Sequence, residues 1–160
     1  MSDTGSFLYN NTKASTLKTA AKLMTHGAHP GIMSRHLFKH KTVANLKAWG
    51  RALDNTLLDN KKGMIHSAVT KEDWQNLPDA SNATFEGFIE VLNKAQEAKF
   101  AMFLKQDGPI IKGSLRSEEH KGINVHAIAK SLGGGGHILA AGFAMEGTLK
   151  REEDGSWDVL

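Results

Sequence analysis

The 160-residue chain has no cysteine, a single tyrosine and only three prolines. Without thiols it has no disulfide framework, no thiolate metal site and no cysteine nucleophile, which fits a reducing cytoplasm. No apolar run approaches the roughly 20 residues of a membrane span, and no signal-peptide pattern precedes the first polar residues. A soluble chain with no membrane partner is therefore expected. Internal repeats are also missing. The hydrophobic fraction of 40% is enough for a core, and the length suits one domain, or a small domain with part of another.

Charge is unevenly spread. Residues 1–62 carry ten Lys and Arg against three acids, whereas residues 63–160 carry ten against fourteen. The basic half suits either a polyanionic partner or ordinary solvated helix faces. The asymmetry separates a helical segment, 1–62, from a second unit, 63–150, followed by a charged tail, 151–160.

In the first segment Leu17, Ala20, Ala21 and Met24 recur at helical spacing, and Gly27 stands where a C-cap stops a helix. Pro30 suits the first turn of a second helix, with Ile32, Met33, Leu37 and Phe38 inward. Leu46, Trp49, Leu53 and Leu57 form one stripe that predicts a third helix. From residue 63 the pattern changes. Met64–Val69 reads as a strand, and Thr70 caps a short helix after it. Phe85, Phe88, Ile89 and Leu92 mark another helix. Two strands, 98–106 and 109–116, are joined by Asp107-Gly108, a short hairpin signal. A helix ending at Leu132, a glycine loop and a strand near 142–145 follow, and Trp157 and Val159 have the means to pack back. The expected fold is α/β of the α+β kind, a small mixed β-sheet flanked by helices and preceded by a mainly helical segment.

The residues most suggestive of chemistry are Gly133-Gly134-Gly135-Gly136-His137. Consecutive glycines are poor material for helix or strand, but they allow backbone N–H groups to approach an anion closely. An apolar-periodic run (Val125, Ile128, Ala129, Leu132) leads in, and small residues lead out, unlike the polar flanks of a linker. Arg116 ends a predicted strand in Gly113-Ser114-Leu115-Arg116-Ser117. Its guanidinium fork, with the hydroxyls of Ser114 and Ser117, suits a phosphate or carboxylate. The alternative is a salt bridge to Glu118 or Glu119. His137 either donates to a phosphate, stacks on a base, or caps the following turn.

Histidines 26 and 29, and 36 and 40, have spacings that zinc sites use. Gly27 and Pro30 interrupt any shared face, however, and further ligands are lacking. Asp3 in Asp3-Thr4-Gly5 reads as a turn former on residue type alone.

Taken together, Ser114–Ser117, Asn124–Ala129, Gly133–His137 and Ala140-Ala141-Gly142 resemble the DHH-associated C-terminal domain of DHH-family phosphoesterases. The nearest resemblance is to the branch of oligoribonucleases and 3′-phosphoadenosine 5′-phosphate phosphatases. Asp3-Thr4-Gly5-Ser6-Phe7 with Tyr9-Asn10-Asn11-Thr12 resembles the last metal-binding motif of the catalytic DHH domain. The resemblance implies that Asp3 is one carboxylate of a two-manganese site. It implies that Gly133, Gly134, Gly135, Gly136 and His137 hold the phosphate or nucleotide of a short oligonucleotide, with Arg116, Ser114 and Ser117 clamping another part.

The Asp-His-His triplet and the upstream aspartates of that family do not occur in these residues. The chain is thus expected to be the substrate-binding half of a metal-dependent phosphoesterase, with no catalytic residue of its own. A missing N-terminal catalytic domain would then be its partner. Without that partner, an apolar face of the first helices is expected to be exposed and to drive self-association. Monomer and homodimer both stay open. The second reading is a non-catalytic nucleic-acid-binding module, since related domains serve RNA binding elsewhere.

Overall fold

The computed structural model describes residues 4–7, 11–37, 42–70, 72–73, 84–153 and 155–160. Asp3, Tyr9, Asn10, Phe38 and His40 lie outside the described residues, and so do 74–83. The chain divides into two compact units, Met1–Lys41 and Thr42–Leu160.

The first unit holds α1 (Ala14–Thr25) and α2 (Pro30–Leu37). Gly27 ends α1 as its position predicts: its φ is +91°, and its N–H donates to the Met24 carbonyl at 3.0 Å. No residue of α1 is buried.

The second unit is built on six strands in the order β1 (Leu57–Asp59), β2 (Met64–Val69), β3 (Phe100–Asp107), β4 (Ile110–Ser117), β6 (Ala140–Glu146), β5 (Gly135–His137). Among the described residues only β2 and β3 pair in parallel, so the sheet is mixed as expected. Gly108 makes the β3–β4 hairpin turn at φ +63°. The charged tail is ordered as a separate hairpin of β7 (Leu149–Arg151) and β8 (Trp157–Val159).

Antiparallel pairing puts partner residues on the same face, and alternate residues on opposite faces. One face carries Phe100, Leu104, Ile111, Leu115, Ala141 and Phe143. It is covered by Val125 and Ala129 of α5 (Val125–Ser131) and by Leu149 and Trp157 of the tail hairpin. The other face carries Val69, Ala101 and Phe103, covered by Ala52 of α3 (Val43–Asp54) and by Phe88, Ile89 and Leu92 of α4 (Phe88–Leu92). Phe88 and Phe103 meet at 4.8 Å between ring centroids, and Trp49 meets Phe88 edge-on at 5.5 Å. This second cover extends from β2 and β3 to the near side of β4.

The third helix exists, but it packs differently from its large-residue stripe. Ala44, Asn45, Ala48 and Ala52 are buried, whereas Leu46 is 57% and Leu53 48% exposed, and Leu57 opens β1. Of the predicted stripe, only Trp49 packs on the core. The small alanines bring the helix backbone close to β2, where the Ser67 hydroxyl donates to the Ala52 carbonyl at 2.6 Å. Asn45 Oδ1 accepts the Thr84 N–H at 2.7 Å, tying the same face to the approach to α4. Helix α3 and β1 therefore belong to the sheet unit, although they fall within the segment 1–62. Thr70 acts as a cap, as predicted, and Asp73 bonds back to it. The Thr70 N–H donates to the Asp73 carboxylate at 2.9 Å, and the Asp73 N–H donates to the Thr70 hydroxyl at 3.3 Å.

Candidate functional site

Over β4, β6 and β5 the second face of the sheet forms a shallow floor, and register sets out its rows. The first row is Ala101, Arg116, Ala140, His137; the second is Phe103, Ser114, Gly142, Gly135. Within a row neighbouring strands are about 4.8 Å apart, and rows are about 7 Å apart. The register thus brings Arg116, Ser114, Gly135 and His137 onto one patch, with Arg116 and His137 flanking Ala140. The floor between them is made of Ala and Gly, so backbone and ligand can approach closely.

Arg116 is 30% exposed at the margin where the α4 cover stops. Its Nε donates to Glu90 Oε1 at 3.1 Å, and Nη1 donates to the Leu115 carbonyl at 2.9 Å. Nη2 takes part in neither bond. The salt bridge anticipated with Glu118 or Glu119 is therefore made by Glu90, and Glu118 instead faces His120 at 3.3 Å. Nothing in the sequence links residues 90 and 116; α4 brings them together in space.

The glycine run serves two purposes. Leu132 is the C-cap of α5. The Gly133 N–H donates to the Lys130 carbonyl at 3.1 Å and the Gly134 N–H to the Ala129 carbonyl at 2.8 Å. With Gly133 at φ +77°, this is a Schellman helix stop. The amides of Gly133 and Gly134 are thus spent inside the protein, which corrects the expectation that all four glycines cradle an anion. A Cβ on Gly134 would run into the Gly142 carbonyl and Phe143, and one on Gly136 would come within 2.6 Å of the Ala140 carbonyl. Both are glycine because β6 lies against them.

Gly135 differs. Its φ does not require glycine, and a Cβ there would meet nothing within 4 Å. The strand that begins at Gly135 also overturns the expectation that glycines avoid strands. As the outer strand of the sheet, β5 leaves half its backbone groups facing away from β6. Its turn is tied down, because the Val125 N–H donates to the Ile138 carbonyl at 2.9 Å and the Ser117 N–H to the Leu139 carbonyl at 3.0 Å.

Ser117 does not join the patch. It lies three residues from Ser114, hence on the opposite face, where it is 5% exposed. Its hydroxyl donates to the Lys99 carbonyl at 2.9 Å. That is a structural role.

The next row outward holds Lys105, Lys112 and Ala144, and the last holds Asp107, Ile110 and Glu146. Lys112 Nζ donates to Asp107 Oδ2 at 2.7 Å. That hydrogen bond, with the Lys112 charge, holds the Asp107 carboxyl below the usual carboxylate range.

Among the described residues no group of three His, Asp or Glu side chains is placed to hold a metal. His26 Nδ1 lies 2.8 Å from the Lys22 carbonyl, and Asp3 falls outside the described residues. The described side chains do not fit a two-metal cluster. No described helix is long and apolar enough to cross a membrane.

Comparison with known proteins places this geometry. The chain is 27% identical over 147 residues, 92% of its length, to the bifunctional oligoribonuclease and PAP phosphatase NrnA of Thermus thermophilus, and the match covers 43% of that protein. It superposes on an exopolyphosphatase-related protein from Bacteroides fragilis with a TM-score of 0.79 and 25% identity, covering 97% of this chain and 44% of that one. The chain thus spans under half the length of both relatives. Residues 61–154, which include every row of the patch, match the DHHA1 domain model. The chain belongs to the DHHA1 domain family.

Proposed function

We propose that this chain is the substrate-holding part of a cytoplasmic phosphoesterase acting on short oligonucleotides or 3′-phosphoadenosine 5′-phosphate. Its open sheet face grips the phosphate. One observation carries the reading: Gly135 has no steric or conformational need inside the protein to be glycine, yet it lies on the patch shared by Arg116, Ser114 and His137. A missing side chain where there is open space is accounted for by a ligand that occupies it. Arg116 contributes a charge-assisted hydrogen bond held in direction by Glu90, Ser114 a hydroxyl, and His137 a ring N–H.

Likeness to the Thermus thermophilus protein, an oligoribonuclease and PAP phosphatase by name, supports this substrate class. In this reading Asp3 supplies one carboxylate to a two-manganese centre whose other ligands, and the hydrolytic step, belong to a catalytic domain beyond these residues. The chain after Asp3 is held unusually: Gly5, Ser6 and Phe7 all have positive φ, at 52°, 57° and 72°. Successive residues in this region are costly and mark constrained segments. Alone, the 160 residues bind substrate without hydrolysing it.

Calorimetric titration with adenosine phosphates tests the reading. Arg116→Ala is expected to weaken binding by about 1.5–3 kcal/mol, the range for a hydrogen bond to a charged group. Gly135→Val should leave the fold intact and block the site. The proposal fails if the wild-type chain gives no heat, or if both variants bind like wild type.

A further inference from the structure

Arg116, the cation of the phosphate grip, carries an acid with it. Its Nε donates to Glu90 Oε1 at 3.1 Å, and the two side chains are 30% and 34% exposed, so the pair stands at the margin of the open patch. Glu90 is fixed there by its own helix, because Phe88, Ile89 and Leu92 around it in α4 are buried. Its second oxygen, Oε2, is shut off from solvent and meets no hydrogen-bond donor among the described residues. Arg116 is thus what offsets the carboxylate charge, and Glu90 in turn offsets Arg116.

The guanidinium is planar, and its N–H groups point in fixed directions. Glu90 takes the Nε hydrogen, and the Leu115 carbonyl takes one on Nη1. A phosphate oxygen accepting from the Nη2 hydrogen directed away from Glu90 lies about 6 Å from Oε1 when the hydrogen bonds have ordinary lengths. Each negative charge on the ligand is therefore attracted by the guanidinium and repelled by the carboxylate. In a medium between a protein surface and water, repulsion over about 6 Å is a factor of about ten in affinity for each ligand charge. A phosphomonoester carries nearly two charges above its second pKa of about 6, whereas a phosphodiester carries one.

We infer that Glu90 is a specificity-determining residue that sets which phosphate charge the grip accepts. It takes away the advantage that a bare arginine gives to a doubly charged phosphomonoester, and so opens the grip to the singly charged phosphodiester of an internal link. The inference rests on the phosphate grip proposed above and deepens it.

The test uses two ligands that differ only in this charge: adenosine 5′-monophosphate and its methyl phosphate ester. Both are titrated calorimetrically into the 160-residue chain at pH 8. Wild type should bind the two within about threefold of each other, since the two charges of the pair nearly cancel. Glu90→Gln keeps an oxygen that accepts from Nε and removes the charge; it should bind the monophosphate about tenfold more tightly than the ester. Glu90→Ala should show the same separation. Because both ligands are measured on one preparation, a general loss of folding moves the two affinities together and cannot mimic it. An unchanged ratio in Glu90→Gln would overturn the inference, as would a tenfold preference for the monophosphate already present in wild type. A ratio that widens in Glu90→Ala alone would reduce Glu90 to a support for the Arg116 fork, and would overturn it equally. Failure of the underlying grip looks different: Arg116→Ala then leaves both affinities unaffected.

Discussion

The two faces of the one sheet are made of the same strands and differ in what they are for. Along β4 the residues alternate Ile111, Gly113, Leu115, Ser117 on one side and Lys112, Ser114, Arg116 on the other. The first set is buried throughout, with Ile111 and Leu115 fully inaccessible. The second set is partly or fully exposed and includes two cations. On the covered face each small residue answers to a neighbour: Gly113 makes room for the Phe143 ring, and Ser117 gives its hydroxyl to Lys99. On the open face Gly135 answers to nothing among the described residues. A small residue that a neighbour requires speaks for the fold, and Gly135, which no described neighbour requires, speaks for a ligand.

Truncating the covered face gives the largest effect that separates the two. Leu115→Ala removes a fully buried side chain from the main core, and such changes cost about 2–5 kcal/mol. Its neighbour Ser114→Ala, on the open face, should stay within about 0.5 kcal/mol of wild type, as surface changes do. Urea unfolding followed by tryptophan fluorescence and by circular dichroism reads both. Equal losses would mean that the open face is structural after all.

The glycine run allows a finer separation within three residues. Gly134→Ala forces a methyl group against the Gly142 carbonyl and Phe143, an overpacking expected to cost about 1–3 kcal/mol. Gly135→Ala meets open space and should leave the unfolding midpoint unchanged while weakening nucleotide binding. If Gly135→Ala destabilised the protein as much as Gly134→Ala, the claim that Gly135 is shaped by a ligand would fail.

How far residues alone reveal this arrangement depends on what kind of information they carry. Turn and cap chemistry is local, so Gly27, Thr70 and Asp107-Gly108 were readable, and the strands beside them followed. Strand parity is also local. Ser114 and Ser117, three apart, cannot share a face once both lie in one strand, so that much of the site was available from counting. The helix stop at Gly133 and Gly134 was present as well, in a glycine directly after an apolar-periodic helix, but the anion-loop reading overshadowed it. The buried side of α3 differs from its large-residue stripe because alanines let a helix approach a sheet closely. The Arg116–Glu90 pair and the Lys105–Lys112 row depend on strand register and on α4, which no local pattern encodes.

The smallest effect concerns His66, on the covered face beside Leu57 and Met102. Loss of hydration on burial holds its imidazole below the ordinary histidine pKa, Lys62 pushes the same way, and Asp59 opposes them. The folded protein therefore binds this proton less readily than the unfolded chain does. Above the ordinary value near 6.5 both states are neutral at this site and its contribution to stability is complete. As pH falls through that value the unfolded chain takes up the proton first. Stability then declines until the folded-state pKa is passed, below which both states are protonated and the loss levels off. Denaturation midpoints measured from pH 7.5 down to pH 5 should show this decline in wild type and a shallower one in His66→Gln. Superimposable profiles would mean that the covered face tolerates the charge, and that its contrast with the open face is less sharp than the packing suggests.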